Sequence, residues 1–322
     1  MEPVLKLYRG YANDQELIVM GHVFKPSEKA NYDFQKKNFK NAESIIRLFQ
    51  IKTKPNEDVY LEIDGEIIHS KTLDDGYFKF CIPLKENDNF GWINYTVFIK
   101  HHNKKIKASS SYIRPTTGKF GFISDIDDTF LISHTRNPLK KLYVLLFKNV
   151  NSRKVFKDVV AHYKVLKSAG RVDKNEENAF FYVSSSEWNL YSLITQFASI
   201  HGLPKAVLLL KNIKTSLTQL FFTGRGNHNH KFDKIKHILE FYPDLQYVLL
   251  GDDSQKDPKL YENICKIFPL HIKAVYIRQV GSSPKSKISK TMNNIASLDV
   301  ATCYFKSSKE AIEHSKQIGL ID

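Results

Sequence analysis

The stretch KFGFISDIDDT, residues 119–129, decides the fold of this chain. Its first half is a short, mostly apolar run that follows Gly118, which is typical of a fully buried β-strand. The run then ends in three carboxylates within four residues, Asp125, Asp127 and Asp128. The sequence therefore predicts a buried strand that delivers a group of acids at its carboxyl end.

Two of these acids suggest a metal site. Because side chains alternate along a strand, Asp125 and Asp127 point the same way if extended backbone persists that far. Two buried carboxylates repel each other, and a divalent cation such as Mg²⁺, which carboxylates, waters and substrate phosphate hold, would relieve this repulsion. We predict a hard-metal site at the carboxyl end of a central strand, where open α/β sheets bind ligands.

A turn is the alternative interpretation of such an acidic group. Asp74-Asp75-Gly76 lies between two strand-like runs and has the composition of a plain hairpin turn. A short acidic motif alone is about equally consistent with a turn and with a site. The choice therefore depends on what the other strand ends supply.

Composition sets broad limits on the class of protein. The chain has 322 residues, 42% of them hydrophobic, which indicates a globular protein of two domains. Its formal net charge of +14 suits an anionic partner, either nucleic acid, a phospholipid surface or a phosphorylated substrate. Three separated cysteines and the lack of a signal-like or membrane-spanning apolar run favour a cytoplasmic protein.

The pattern of the chain changes near residue 118. Residues 1–117 contain several short alternating runs separated by turns, with one helix-like insert at 41–50, and predict a small β-sandwich-like domain. Residues 118–322 alternate apolar strands with helical segments, which predicts an α/β domain with a Rossmann-like parallel sheet. Its candidate strands are 120–125, 179–183, 206–210, 247–251, 274–280 and 301–305.

Groups suited to phosphate follow the second strand and precede a later helix. Ser184-Ser185-Ser186 stands where a helix is predicted from about 187 to 201, and such an N-terminus binds phosphate. Alternatively, Ser184 and Glu187 form a capping box that needs no ligand. His228, His230 and Lys231 begin another helix, where cations oppose the helix dipole unless carboxylates lie adjacent or solvent screens them.

A second acidic group follows the strand at 247–251. Asp252 and Asp253 come directly after it, and Asp257 lies beyond. Asp257-Pro258 is also consistent with a helix N-cap followed by proline at the first helical position. Because the carboxyl ends of parallel strands share one edge, the joint pattern favours a site over the separate structural alternatives.

This ordered set of residues resembles the haloacid-dehalogenase superfamily of phosphatases. Residues 125–129 resemble its first motif, Ser184 its second, Lys231 its third, and residues 251–257 its fourth. Residues 118–281 are also similar to the catalytic domain of actin-patch-type phosphatidate phosphatases, including positions outside the catalytic set such as Trp188 and Gln255. One departure is Asp253, where we expect a small residue in relatives and which adds charge near the metal.

The resemblance implies a reaction and a set of site residues. The expected activity is Mg²⁺-dependent hydrolysis of phosphatidate through an aspartyl-phosphate on Asp125, with Asp127 as acid and base. Ser184 and Lys231 are expected to hold the phosphoryl oxygens. The implied metal ligands are Asp125, Asp127, Asp252 and Asp257, although Asp257 could instead orient Lys231. The expected substrate-binding residues are Thr129, Ser185 and Arg225.

The nature of the substrate and partner is less closely determined. A Lys-flanked apolar run at 142–147 either rests on an anionic bilayer or, as we favour, is a core-facing helix. Arg225 lies in a glycine-flanked loop that either reaches a headgroup or simply connects elements. The alternatives are a phosphatase of soluble metabolites or nucleic-acid ends, and a lipid-binding adaptor with a vestigial site. No nucleic-acid-binding motif is present, and the sequence does not determine the oligomeric state.

Overall fold

The structure is a computed structural model that describes residues 2–26, 52–84, 89–115, 120–125, 159–171, 177–211, 229–253, 256–281 and 283–322. Three of the predicted site residues, Asp127, Thr129 and Arg225, lie outside the described residues. So do the helix-like insert at 41–50 and the apolar run at 142–147.

The first sheet is mixed and contains eight strands. Its hydrogen-bonded order is β1-β3-β2-β8-β7-β4-β5, and β6 also pairs with β3. The strands are β1 (Val4–Leu7), β2 (Gly10–Ala12), β3 (Glu16–Phe24), β4 (Asp58–Ile63), β5 (Glu66–Lys71), β6 (Tyr77–Pro83), β7 (Gly91–His101) and β8 (Lys104–Arg114).

This sheet folds back on itself around one core. We predicted a sandwich, but the described strands form a single hydrogen-bonded sheet in which β5 also contacts β6. The inward-facing residues alternate along the strands, as Val59 and Leu61 or Val97 and Ile99 do, and they form one apolar cluster. Strands β7 and β8 form a hairpin and pair along their length across the turn His102–Asn103.

The second sheet is parallel, as the sequence predicts. Its order is β11-β10-β9-β12-β13-β14, so β9 lies in the centre. The strands are β9 (Phe120–Ser124), β10 (Ala179–Glu187), β11 (Val207–Lys211), β12 (Gln246–Asp252), β13 (Ile272–Arg278) and β14 (Ala301–Phe305). The helices are α1 (Val159–Lys167), α2 (Tyr191–Ile200), α3 (Asn229–Phe241), α4 (Asp257–Ile267), α5 (Ser286–Ala296) and α6 (Ser308–Gln317).

The helix that follows β10 begins later than predicted. Strand β10 continues through the serine run to Glu187, which pairs with Lys211 of β11, and a 3-10 turn at Trp188–Leu190 precedes α2. The Ser184 hydroxyl accepts a hydrogen bond from the Ser186 N–H at 2.9 Å. The capping-box alternative for Ser184 is therefore wrong, because pairing with β11 keeps this segment extended.

A capping box does occur at the start of α6, where Ser307 and Glu310 form it.

The two sheets share hydrophobic contacts. Tyr8 stacks on Trp188 with ring centroids 4.2 Å apart, and the Arg9 N–H donates to the Tyr191 hydroxyl at 2.9 Å. The Tyr11 hydroxyl lies 3.0 Å from Nε2 of His237 on α3. The boundary between domains 1–117 and 118–322 stays a prediction, but the apolar core is continuous across it. Among the helices in the described ranges, none is long and apolar enough to cross a bilayer.

Candidate active site

Two neighbouring central strands bring carboxylates to the same edge of the parallel sheet. Asp125 directly follows β9, and its N–H donates to the Leu250 carbonyl of β12 at 3.0 Å. Asp252 is the last residue of β12, two positions beyond Leu250. The register of these strands therefore places Asp125 beside the end of β12, as the apolar runs of both strands predict.

Asp257 reaches the same place from the first turn of α4. A carboxylate oxygen from each of Asp125, Asp252 and Asp257 lies within 4.8 Å of the other two, and all three residues are buried. Asp257 is the first residue of α4, after the N-cap Lys256, so the alternative in which Asp257 is only an N-cap is wrong. Its side chain turns instead toward the acids at the ends of β9 and β12.

Gly251 allows this close approach. A Cβ built on Gly251 would lie 2.9 Å from the Asp257 Cβ and 2.8 Å from the ring of Tyr261. Contacts under 3.0 Å force a shift of the neighbouring groups, and here those groups are a packed ring and a site carboxylate. Position 251, in the fourth motif, therefore has room for glycine but not for a residue with a Cβ atom.

We expect Gly251→Ala to damage the site more than the fold. Overpacking of this kind costs about 1–3 kcal/mol, whereas a displacement of a site group by 1 Å can reduce turnover about 100-fold. Chemical denaturation and steady-state rates would separate the two effects. Gly281→Ala is a matched control, because the nearest atom to its new Cβ would be 3.9 Å away. Equal rates for the two variants would contradict the assignment.

Lys231 bridges two of the three acids. Its Nζ donates to Asp125 Oδ1 at 2.8 Å and to Asp257 Oδ1 at 3.2 Å, and the side chain is 10% exposed. The sequence placed a basic group at the start of α3, where the helix dipole disfavours it. The adjacent carboxylates explain this placement, as one of the two alternatives predicts.

The charges of this cluster favour a cation. Three ionised carboxylates and one ammonium group carry a net charge of −2 in a buried environment. Burial raises the pKa of Asp257, and Asp252 raises it further, while Lys231 acts in the opposite direction. Asp257 Oδ2 is buried and accepts no hydrogen bond from the part of the chain that the structure describes. An all-oxygen donor set with surplus negative charge fits a hard divalent cation.

Ser184 lies in β10, the neighbour of β9 in the sheet. The pairing of these two strands ends at Tyr182 and Ser124, so the buried Ser184 lies two positions beyond it, on the side of Asp125. The Ser184 carbonyl lies 3.4 Å from Nε2 of His230, the residue before Lys231. Burial, with Lys234 and other nearby lysines, lowers the pKa of His230 to about 4, so this imidazole is neutral at pH 7. The predicted residue Ser185 is exposed.

Asp253 points away from the acid cluster. Its Oδ1 pairs with Lys285 Nζ at 2.8 Å, and its Oδ2 accepts a hydrogen bond from the Tyr304 hydroxyl at 2.6 Å. Its extra charge is therefore neutralised by Lys285, which precedes α5, rather than by the site. Lys285 is only partly exposed because it forms this ion pair.

Two supporting side chains were not predicted. The Tyr261 hydroxyl donates to the Leu250 carbonyl at 2.9 Å, and the Tyr163 hydroxyl lies 2.7 Å from the Ser124 hydroxyl. Their only signal in the sequence is an aromatic residue at a buried helical position, which most core helices also show.

The structure therefore brings together four of the predicted residues and places a fifth nearby. Asp125, Lys231, Asp252 and Asp257 form one buried group, and Ser184 lies in the adjacent strand β10, just past the part that pairs with β9. The fold and this group define an α/β protein with an acid–lysine centre at the carboxyl edge of a parallel sheet.

Comparison with known proteins identifies the family. Residues 120–279 match the family described as "Phosphatidate phosphatase APP1, catalytic domain", and the chain belongs to this family over that region. The family resemblance seen in the sequence is thus confirmed, while the haloacid-dehalogenase-like assignment stays a prediction.

Individual relatives are distant and longer. Phosphatidate phosphatase APP1 of Saccharomyces cerevisiae is 25% identical over 314 residues, which cover 92% of this chain and 51% of that protein. An uncharacterized protein of Schizosaccharomyces pombe is 24% identical over 252 residues, covering 76% of this chain and 36% of that protein. The chain thus spans about half the length or less of the curated relatives it matches. A solved carbohydrate acetylesterase from Xanthomonas citri is 9% identical with a TM-score of 0.33, covering 95% of this chain and 69% of that one, which carries no argument about the fold.

Proposed function

We propose that this chain is a Mg²⁺-dependent phosphatidate phosphatase with a haloacid-dehalogenase-like catalytic domain, releasing diacylglycerol and phosphate. The observation that carries the proposal is the buried group in which Lys231 bridges Asp125 and Asp257 beside Asp252. This group lies within the region that matches the phosphatidate phosphatase family, and the S. cerevisiae relative bears the same name.

The first half of the reaction is a transfer of the phosphoryl group to the protein. An oxygen of Asp125 attacks phosphorus, and the bond from phosphorus to the lipid oxygen breaks. Asp127 gives its proton to the leaving alkoxide, so diacylglycerol departs and an aspartyl-phosphate remains. In the second half, Asp127 accepts a proton from water, which attacks the phosphoryl group, releases phosphate and regenerates Asp125.

The other residues of the group prepare Asp125 and bind the phosphate. The Lys231 ammonium orients the Asp125 carboxylate, and Asp257 fixes the position of Lys231. Lys231 and the Ser184 hydroxyl then bind phosphoryl oxygens. Asp125, Asp252 and the Asp127 carbonyl would hold the metal. Mg²⁺, when bound, neutralises the negative charge on the phosphoryl oxygens.

Measuring phosphate release from a panel of substrates tests this proposal. The panel contains phosphatidate in mixed micelles, soluble phosphometabolites and duplex DNA with phosphorylated ends, each with Mg²⁺ or with a chelator. We expect release from phosphatidate that the chelator abolishes. Faster release from a soluble metabolite or from DNA ends would replace phosphatidate as the substrate. No release from any of them would favour a lipid-binding adaptor, which the intact acid–lysine group argues against.

A further inference from the structure

A group of exposed lysines lies at the tip of the β7–β8 hairpin and beside it. We define the basic hairpin surface as Lys71, Lys100, Lys104 and Lys105, all of which are exposed. Residues 98–107, FIKHHNKKIK, contain four lysines and two histidines but no acid. Asp58 is an acid in contact with this surface, 3.7 Å from Lys71, and it also binds His69. The surface therefore carries a net positive charge.

Two lysines of the basic hairpin surface face each other across the hairpin. Lys100 and Lys105 lie directly opposite each other in the register of β7 and β8, and like charges at such positions are destabilising. Their amines are held over aromatic rings, Lys100 Nζ 4.7 Å from the Tyr60 ring centroid and Lys105 Nζ 4.4 Å from that of Phe98. Tyr60 and Phe98 also stack on each other. An anionic partner would relieve the repulsion that this arrangement holds in place.

The segment from Lys6 to Asn13, which includes the end of β1 and all of β2, shows which way the hairpin points. Lys6 Nζ donates to the Ser192 hydroxyl at 2.6 Å, in the first turn of α2 and hence near the carboxyl edge of the parallel sheet. Asn13 Nδ2 donates to the carbonyl of Phe241, the last residue of α3, at the opposite edge. The chain from Lys6 to Asn13 therefore runs away from the edge that carries the candidate site.

Strand β8 runs in the same direction, because it pairs with β2 in parallel at Gly10 and Tyr112. Its first residue, Lys104, is thus its end nearest the site edge. The Ser110 hydroxyl donates to the Tyr8 carbonyl at 3.2 Å, which fixes the level of Ser110 beside Tyr8. Lys104 lies six positions earlier on β8, which corresponds to roughly 20 Å of strand. The hairpin tip therefore projects on the site side of the molecule, beyond the level of Lys6.

We propose that the basic hairpin surface docks the protein on an anionic phospholipid bilayer, with the site edge turned toward the lipid. This inference rests on the proposed function, because a lipid phosphatase has to meet a headgroup that stays in the membrane. Lysines near an anionic membrane surface each strengthen binding about fivefold, so three contribute roughly 100-fold. Nucleic acid is the competing partner. The two aromatic rings beneath these lysines are poor platforms for a base, because Phe98 is buried and Tyr60 stacks on it with Lys100 over its ring.

Vesicle sedimentation of the full chain tests the proposal. The test variant is Lys100→Gln/Lys104→Gln/Lys105→Gln, and the charge-preserving variant carries arginine at the same three positions. The matched control, Lys290→Gln/Lys309→Gln/Lys316→Gln, removes the same charge from exposed positions on α5 and α6. We expect the test variant to lose about 100-fold in affinity for vesicles with 30% phosphatidylserine, and the other two to bind within about threefold of wild type.

Two further measurements separate this inference from the proposed function. Short-chain phosphatidate below its critical micelle concentration measures the chemical step without a lipid surface. We expect the test variant to hydrolyse this soluble substrate at the wild-type rate. We expect it to hydrolyse phosphatidate in vesicles more slowly than wild type. Failure of all variants on short-chain phosphatidate would remove the proposed function while leaving the vesicle measurement intact. Equal vesicle binding by wild type and the test variant, or binding to neutral phosphatidylcholine or duplex DNA that matches binding to anionic vesicles, would overturn the inference.

Discussion

Asp125→Asn is expected to reduce turnover of phosphatidate by at least about 10³-fold, because the amide cannot serve as the nucleophile. The fold should persist, because asparagine has nearly the same shape and the change removes one of three buried like charges. Steady-state rates and thermal unfolding would measure the two effects. Acid quenching during turnover should trap the wild-type protein in its phosphorylated form, and the variant should carry no phosphoryl group.

Asp253→Asn is the matched control for this experiment. It makes the same substitution at a buried acid beside Asp252, but the Asp253 side chain binds Lys285 and Tyr304 instead of the acid cluster. We expect its rate to stay within about tenfold of wild type, with some loss of stability from the broken ion pair. A rate near wild type for Asp125→Asn, or equal losses in the two variants, would show that Asp125 is not the nucleophile.

The second large effect is expected from Lys231→Met. Methionine keeps an unbranched side chain of similar length but leaves Asp125 and Asp257, beside Asp252, without the ammonium group that bridges them. Removing one partner from a buried ion pair costs about 3–5 kcal/mol of unfolding free energy. Chemical denaturation without metal would measure this loss, and activity should fall as well, because phosphate loses a cationic contact.

The loss should depend on pH and on metal. Burial and Asp252 raise the pKa of Asp257, and Lys231 opposes this rise. Without Lys231 the pKa of Asp257 therefore lies further above its value in the unfolded chain, so its ionisation destabilises the protein as pH rises and has no effect at low pH, where the group is protonated. The stability difference should therefore be smaller at about pH 4 than at pH 7, and Mg²⁺ should restore part of it. Lys236→Met, which breaks an exposed pair with Glu240, should change stability by less than about 1 kcal/mol. Equal effects of the two substitutions would contradict the proposed electrostatics.

The sequence was most informative where apolar runs end in polar residues. The run before Asp125 and the run before Asp252 become adjacent parallel strands, so their ends had to meet at one edge. The position of Lys231 gave a related but weaker signal, because a cation at a helix N-terminus is disfavoured unless carboxylates lie adjacent or solvent screens it. These inferences depend on strand direction and charge, and both are visible in the chain.

Other features depend on partners that are distant in the sequence. The serine run after β10 remains extended because Glu187 pairs with Lys211, and no local signal distinguishes that outcome from a capped helix. The orientation of Asp253 is set by Lys285 and Tyr304, which lie 32 and 51 residues away. The first sheet is a single hydrogen-bonded sheet that folds back on itself because β3 pairs with β1, β2 and β6, and alternation along a strand does not reveal these partners.

The stacking of Tyr8 on Trp188 has a practical consequence for making shortened forms of the protein. A recombinant fragment starting at residue 118 would uncover Trp188 and the apolar faces of α2 and α3 that Tyr8 and Tyr11 now cover. Such a fragment would expose an apolar, aromatic surface to water, which favours aggregation. Crystallisation trials and enzyme assays are therefore better designed around the whole chain than around the family-matched segment alone.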